Sequence, residues 1–199
     1  MNGADVSKSL TVLLDLDSII VDIWEPWYRE HNRRWGDDLS IEKVTSWDIG
    51  LFVKPGSRPF DIINEKGFYI GLQPLPGAIS GVTRLVRAGH KVYILSAAPS
   101  LPSWSEKAAW VAGWLPRIDQ KNIIFTHAKT LVKGDVLFDD GPHNLLGYRA
   151  AWPKAKLATI AYPYNQVALS EADFVAGDHH DIAYAWSRFT AWVEELSNE

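Results

Sequence analysis

The chain has 199 residues, with 24 acidic and 20 basic side chains, a formal net charge of −4 and no cysteine. The absence of cysteine excludes a disulfide framework, a thiolate nucleophile and Cys-ligated zinc. The mild acidity argues against a broad electrostatic grip on a nucleic acid polymer, which needs a basic face. The length and an apolar content of 47% predict one main globular domain with an ordinary core.

Neither a membrane span nor a secretory leader is expected from the sequence. No apolar run reaches the roughly 18 residues that a spanning helix requires. The first nine residues are polar and lack the charged and apolar blocks of a secretory signal. These features predict a soluble, cytoplasmic protein that does not act at a membrane.

Short continuous apolar runs alternate with helical patterns along most of the chain. Continuous rather than alternating apolarity is typical of parallel strands buried on both faces, and it predicts strands over 10–14, 91–95, 122–125, 135–138 and 157–160. Apolar residues at three- and four-residue steps predict helices over 77–88, 103–115, 144–151 and 181–196. In the second of these, Ser103 with Glu106 has the pattern of a capping box. The alternation predicts an α/β fold of three layers around a parallel, Rossmann-like sheet.

The interval after the first strand breaks this rhythm. Residues 20–74 are too many for a simple connection, and they contain a helical pattern over 19–35 and an aromatic-rich segment. We interpret them as a small, mostly helical cap inserted after strand one. Residues 1–19 and 75–199 then form the α/β core.

Carboxylates follow two of the predicted strands directly. Asp15 and Asp17 close the first strand, and Asp139 and Asp140 close the fourth. Ligands of open parallel sheets bind outside the carboxyl ends of the strands, where several carboxylates together need a cation such as Mg²⁺. One such pair alone is as typical of a helix cap or a turn as it is of a ligand site. Two pairs at two strand ends favour a site.

A hydroxyl and an ammonium group complete the set. Ser96 ends the second predicted strand and precedes Ala97, so its hydroxyl and the local backbone N–H groups could hold a phosphate. Lys129 precedes Asp139 by ten residues and could neutralise phosphate charge. Alone, a serine at a strand end is common, and a lysine in this position is typical of the solvated surface.

The ordered set Asp15-Leu16-Asp17, Ser96, Lys129 and Asp139-Asp140 resembles the four motifs of the haloacid dehalogenase superfamily. Five further stretches resemble its 5′(3′)-deoxyribonucleotidase branch: 74–78 (PLPGA), 106–111 (EKAAWV), 129–132 (KTLV), 139–144 (DDGPHN) and 163–165 (PYN). The resemblance implies a Mg²⁺-dependent phosphatase that hydrolyses nucleoside monophosphates through an aspartyl-phosphate. It also allows a homodimer, because relatives form dimers.

The resemblance also implies residue roles. Asp15 corresponds to the nucleophile and Asp17 to the general acid/base. The metal ligands would be Asp15, the Asp17 backbone carbonyl and Asp139, with Asp140 orienting metal-bound water. The phosphate would be bound by Ser96, Ala97 and Lys129.

Aromatic side chains of the cap are candidates to stack on the nucleobase, although such residues are also typical of the core of a small helical subdomain. The candidates for base contact are Ile23, Trp24, Trp47, Phe52 and Phe68.

Two alternatives stay open at this point. The same chemistry could act on another small phosphate ester, such as a sugar phosphate. A non-catalytic nucleotide-binding protein could also keep the fold. That second alternative is motivated by Ser18, where the family often has glycine, and by Ala97, where a second hydroxyl is common.

Overall fold

The computed structural model describes residues 8–199; most of the predicted polar amino-terminal segment and the start of the predicted core, residues 1–7, lie outside the described residues. One six-stranded parallel sheet organises the chain, with the strand order β3-β2-β1-β4-β5-β6. The strands are β1 (Thr11–Leu14), β2 (Lys91–Ser96), β3 (Ile123–Phe125), β4 (Val136–Phe138), β5 (Lys156–Ala161) and β6 (Phe174–Asp178). The α-helices are α1 (Trp24–Trp35), α2 (Pro59–Asn64), α3 (Ala78–Arg87), α4 (Leu101–Trp114), α5 (Pro142–Ala151) and α6 (Ile182–Ser197).

The sheet is buried on both faces, which explains the continuous apolar runs. Val12 and Leu14 of β1 belong to a cluster formed with α3, α4 and α6. Leu13, pointing the other way, belongs to a cluster that includes α5. Helices therefore cover both faces, and the predicted three-layer α/β fold is confirmed.

The predicted helix over 19–35 begins later than expected, at Trp24. Ser18 has a φ of 62° and its N–H donates to the Val21 carbonyl at 2.9 Å, so the chain turns sharply after β1. Val21 then forms isolated bridges with Asp17 and Pro74. These backbone pairings, which a helical pattern cannot reveal, keep residues 18–21 out of the helix.

The start of α4 also differs from the prediction. Its N-cap is Ser100, and Ser103 is the third helical residue; the two side chains bond each other's backbone N–H in a capping box. Pro102 lies in the first turn, where the N–H that it lacks would have no partner in the helix. The short elements α2 and β6 were not predicted.

The segment between β1 and α3 has its own apolar cluster: Trp27, Tyr28, Leu39, Val44, Ile49 and Ile62. The two chain links that join it to the sheet are hydrogen-bonded together, since Asp22 N donates to Gln73 O at 3.0 Å and Leu75 N to Ile20 O at 2.8 Å. We call residues 20–74 the cap; the boundaries of cap and core stay a prediction. Within residues 8–199, no helix has the length and apolarity needed to cross a membrane.

Candidate active site

Three carboxylates meet where β1 and β4 end. The two strands are neighbours, and the Asp15 N–H extends their pairing by donating to the Phe138 carbonyl at 2.9 Å. Asp15, Asp139 and Asp140 each place a carboxylate oxygen within 4.8 Å of the others, and all three residues are buried. We call these three residues the carboxylate cluster.

One ammonium group lies inside this cluster. Lys129 follows β3 on a short 3₁₀ turn, and its Nζ lies 2.7 Å from an oxygen of Asp15 and 2.7 Å from one of Asp139. Burial alone would lower the pKa of Lys129, but the charges of Asp139 and Asp15 raise it, so the side chain stays charged. The structure thus brings Lys129 into contact with two of the carboxylates that were predicted with it, Asp15 and Asp139.

The cluster carries more negative charge than one lysine offsets. Burial, opposed by Lys129 and reinforced by Asp139 and Asp17, raises the pKa of Asp15 to about 6. Burial and the neighbouring Asp15 and Asp139 raise the pKa of Asp140 well above its usual value. Such shifts mean that ionising all three groups is costly until another cation arrives.

Both oxygens of Asp139 already have partners. Its Oδ2 accepts from Lys129, and its Oδ1 accepts from the Gly141 N–H at 2.8 Å and the Asn144 amide at 2.9 Å. The side chain is fully enclosed, with no exposed surface. Asp139 is therefore held rigidly by the protein itself.

The Asp140 carboxylate accepts fewer hydrogen bonds than that of Asp139. Its Oδ2 accepts from the Tyr164 hydroxyl at 2.6 Å, and that hydroxyl in turn accepts from the Trp24 indole N–H at 3.0 Å. No hydrogen bond from residues 8–199 reaches its Oδ1. Tyr164 therefore connects the carboxylate cluster to the aromatic cap, a role that sequence reasoning missed.

A second buried lysine, Lys107 of α4, contacts the remaining predicted residues. Its Nζ lies 2.6 Å from Asp17 Oδ2, 3.1 Å from Ser96 Oγ and 2.5 Å from the Ala97 carbonyl. Asp17, Ser96 and Ala97 are thus gathered around one ammonium group. The carboxylate of Asp17 is not part of the carboxylate cluster.

The sequence did hold one signal for Lys107. Its three- and four-residue spacing from Ser103, Trp110 and Val111 places it on the face of α4 that the structure buries, where it is only 1% exposed. A lysine at a core position of an amphipathic helix is rarely buried unless it is paired.

A cavity of about 340 Å³ lies over these groups, between the cap and the carboxyl ends of the strands. Among the predicted base contacts, Ile23, Trp24 and Trp47 line it, whereas Phe52 and Phe68 pack against the apolar cluster of the cap instead. Tyr69, another aromatic of the cap segment, also lines the cavity, as do His127 and His143. Further lining residues that were not predicted include Trp27, Phe60 and Tyr164. One wall is therefore aromatic and the floor is charged.

A second cleft, of about 720 Å³, lies beside the first and shares Ser18 and Trp24 with it. Its lining includes Asp22, Glu42 and His179 but none of the carboxylate cluster and neither buried lysine. Most of the predicted site residues therefore line the smaller cavity rather than this cleft.

Comparisons with known proteins match the chain to nucleotidases. Residues 8–173 match the family described as 5′ nucleotidase, deoxy (pyrimidine), cytosolic type C protein (NT5C). The 5′(3′)-deoxyribonucleotidase of Clostridium acetobutylicum is 33% identical over 141 residues, covering 70% of this chain and 77% of that protein. A putative 5′(3′)-deoxyribonucleotidase of Staphylococcus aureus strain Mu50 is 35% identical over 137 residues, covering 68% and 76%.

Solved structures show the same fold at lower identity. A HAD family hydrolase from Deinococcus radiodurans R1, determined with bound phosphate and sodium, superposes with a TM-score of 0.59 at 19% identity. That match covers 92% of this chain and 98% of the other.

Proposed function

Because the chain belongs to the NT5C family of 5′-nucleotidases, we propose that it hydrolyses nucleoside monophosphates in the manner of a 5′(3′)-deoxyribonucleotidase. The observation that carries the proposal is the cavity itself. Asp15 and Lys129 lie at its floor, and Trp24 and Trp47 lie in its wall. A phosphate on the floor would therefore place an attached base against the indoles, where stacking contributes about 1–3 kcal/mol.

The residues of the carboxylate cluster fit a magnesium ion. They offer hard oxygen ligands, their combined charge exceeds that of Lys129, and Asp140 keeps an oxygen without a hydrogen bond from the described chain. When bound, Mg²⁺ would neutralise phosphate charge and polarise the phosphoryl group.

The hydrogen bonds favour Asp140, rather than Asp139, as the metal ligand of the carboxylate cluster. The family resemblance predicts that Asp139 binds the metal and that Asp140 orients metal-bound water. Asp139 accepts three hydrogen bonds from the protein, whereas Asp15 accepts two and Asp140 accepts one. We therefore propose Asp15, the Asp17 carbonyl and Asp140 as the metal ligands, with Asp139 holding Lys129 in place.

In the proposed mechanism Asp15 attacks phosphorus and becomes an aspartyl-phosphate. Asp17 donates a proton to the leaving sugar oxygen, and it then accepts one from the water that hydrolyses the intermediate. Lys129 and the Ser96 hydroxyl surround the phosphoryl oxygens. Their fixed donors stabilise the charge that moves onto those oxygens in the transition state.

Magnesium should stabilise the folded protein measurably. Saturating Mg²⁺, at about 100 times its Kd, should add about 2.7 kcal/mol to the free energy of unfolding, which thermal unfolding would register as a rise in Tm. Asp140→Asn should remove most of that rise in Tm. Asp139→Asn should lower the Tm measured without Mg²⁺, but it should retain more of the Mg²⁺-dependent rise than Asp140→Asn does. An equal or larger loss of the Mg²⁺ effect in Asp139→Asn would restore the original assignment.

Assays on a panel of phosphate esters, each with and without Mg²⁺, test the function. We expect nucleoside monophosphates to be turned over in the presence of Mg²⁺, and faster than sugar phosphates. Faster turnover of the sugar phosphates would favour the alternative phosphatase. No phosphate release from any ester would favour a non-catalytic binding protein.

A further inference from the structure

The ammonium group of Lys107 has no donor left for a substrate. A lysine offers three N–H donors, and three acceptors lie within bonding distance: Asp17 Oδ2, Ser96 Oγ and the Ala97 carbonyl. The side chain is only 1% exposed, so water cannot replace these partners easily. Lys107 therefore differs from Lys129, because it acts on protein groups rather than on a phosphate.

Lys107 makes the two oxygens of Asp17 unequal. Oδ2 accepts from the ammonium group at 2.6 Å, and an oxygen that accepts so close a charged donor is a poor place for a proton. Oδ1 is buried and has no hydrogen-bond partner among residues 8–199. A proton held by Asp17 would therefore be on Oδ1, the oxygen that is free to reach a bound ester.

The position of Lys107 is fixed from the other side by the cap. Its Nζ lies 4.5 Å from the centre of the Tyr69 ring, which is a cation–π contact with a buried ring. The neighbouring Glu106 accepts from the backbone N–H groups of Gly67 at 2.5 Å and Tyr69 at 3.1 Å. Adjacent residues of α4 thus bind the cap and Asp17 at once.

We propose that Lys107 is a positioning residue, which orients Asp17 so that Oδ1 delivers the proton to the leaving oxygen. This inference rests on the proposed function. In the first step the bond from phosphorus to the leaving oxygen breaks, a bond from Asp15 to phosphorus forms, and the proton of Asp17 Oδ1 moves to the leaving oxygen. In the second step the water oxygen bonds to phosphorus, the bond from Asp15 to phosphorus breaks, and the proton that the water gives up goes to Asp17.

The test compares two leaving groups. A sugar alkoxide needs a proton to leave, whereas p-nitrophenolate leaves without one. In Lys107→Met we expect kcat/KM for a nucleoside monophosphate to fall about 10²-fold further than kcat/KM for p-nitrophenyl phosphate, within the range of general acid catalysis. The ratio is taken from kcat/KM because that constant reports the steps up to departure of the leaving group.

Ser96→Ala is the matched control, since it removes another partner of the same ammonium group. It should lower kcat/KM for both esters by similar factors and leave their ratio unchanged, because a phosphate contact does not depend on the leaving group. Should Lys107→Met fail to fold, Lys107→Gln keeps an N–H donor without the charge, and an intermediate change in the ratio is expected.

Equal losses on both esters in Lys107→Met would overturn the inference, because they would show that Lys107 only maintains the site. That outcome leaves the proposed function standing, since the wild type would still hydrolyse both esters. A wild type that hydrolyses neither ester would overturn the proposed function together with the inference.

Discussion

Asp15→Asn should abolish the hydrolysis of nucleoside monophosphates, lowering kcat by about 10⁴-fold or more, as losses of a nucleophile commonly do. The amide has nearly the shape of the carboxylate but cannot form the acyl-phosphate. The fold should persist, because Lys129 keeps its second partner, Asp139, at 2.7 Å. The substitution also removes one negative charge from the carboxylate cluster. That charge is unfavourable there, because burial and the neighbouring carboxylates raise the pKa of Asp15. The Tm without Mg²⁺ should therefore stay the same or rise.

Phosphate release and thermal unfolding, measured on the same preparation, check both halves of this prediction. Asp135→Asn is a suitable control, because Asp135 lies at the opposite end of β4, where its carboxylate accepts from the Thr11 N–H at 2.7 Å. It makes the same chemical change far from the cavity and should keep full activity. Substantial Mg²⁺-dependent turnover by Asp15→Asn would show that another group is the nucleophile.

The parts of the fold that the sequence predicted are those governed by local pattern. Apolar runs ending in Asp15 and Asp139 indicated both the strands and the edge of the sheet where ligands bind. The late start of α1 was missed because Ile19 to Ile23 is apolar enough to continue a helix, whereas pairing of Val21 with Pro74, distant in sequence, decides its backbone. Such pairings follow from tertiary structure and leave no local signal.

The candidate site divides in the same way. Asp15, Asp17, Ser96, Lys129 and the Asp139–Asp140 pair stand out only as an ordered set, because each residue alone is common at a strand end, in a turn or on a surface. Tyr164 could not be chosen among the aromatics of the chain, since its role comes from meeting Asp140 and Trp24 in space. Phe52 and Phe68 were chosen for their type alone, and the packing of the cap turns them away from the cavity.

Lys129→Met should cause the largest loss of stability among these variants. It removes the cation from a buried cluster, and such a loss costs about 3–5 kcal/mol, or a fall in Tm on the order of 10 °C. Activity should fall about 10²-fold or more, because a donor to the phosphoryl oxygens is lost. Mg²⁺ should raise the Tm of this variant more than that of the wild type, since the metal then offsets charge that Lys129 offset before.

Lys133→Met, which removes an exposed ammonium lying over the Trp152 ring, is the charge-matched control and should change neither property much. A Tm in Lys129→Met equal to that of the control would mean that the carboxylates are held neutral without the lysine.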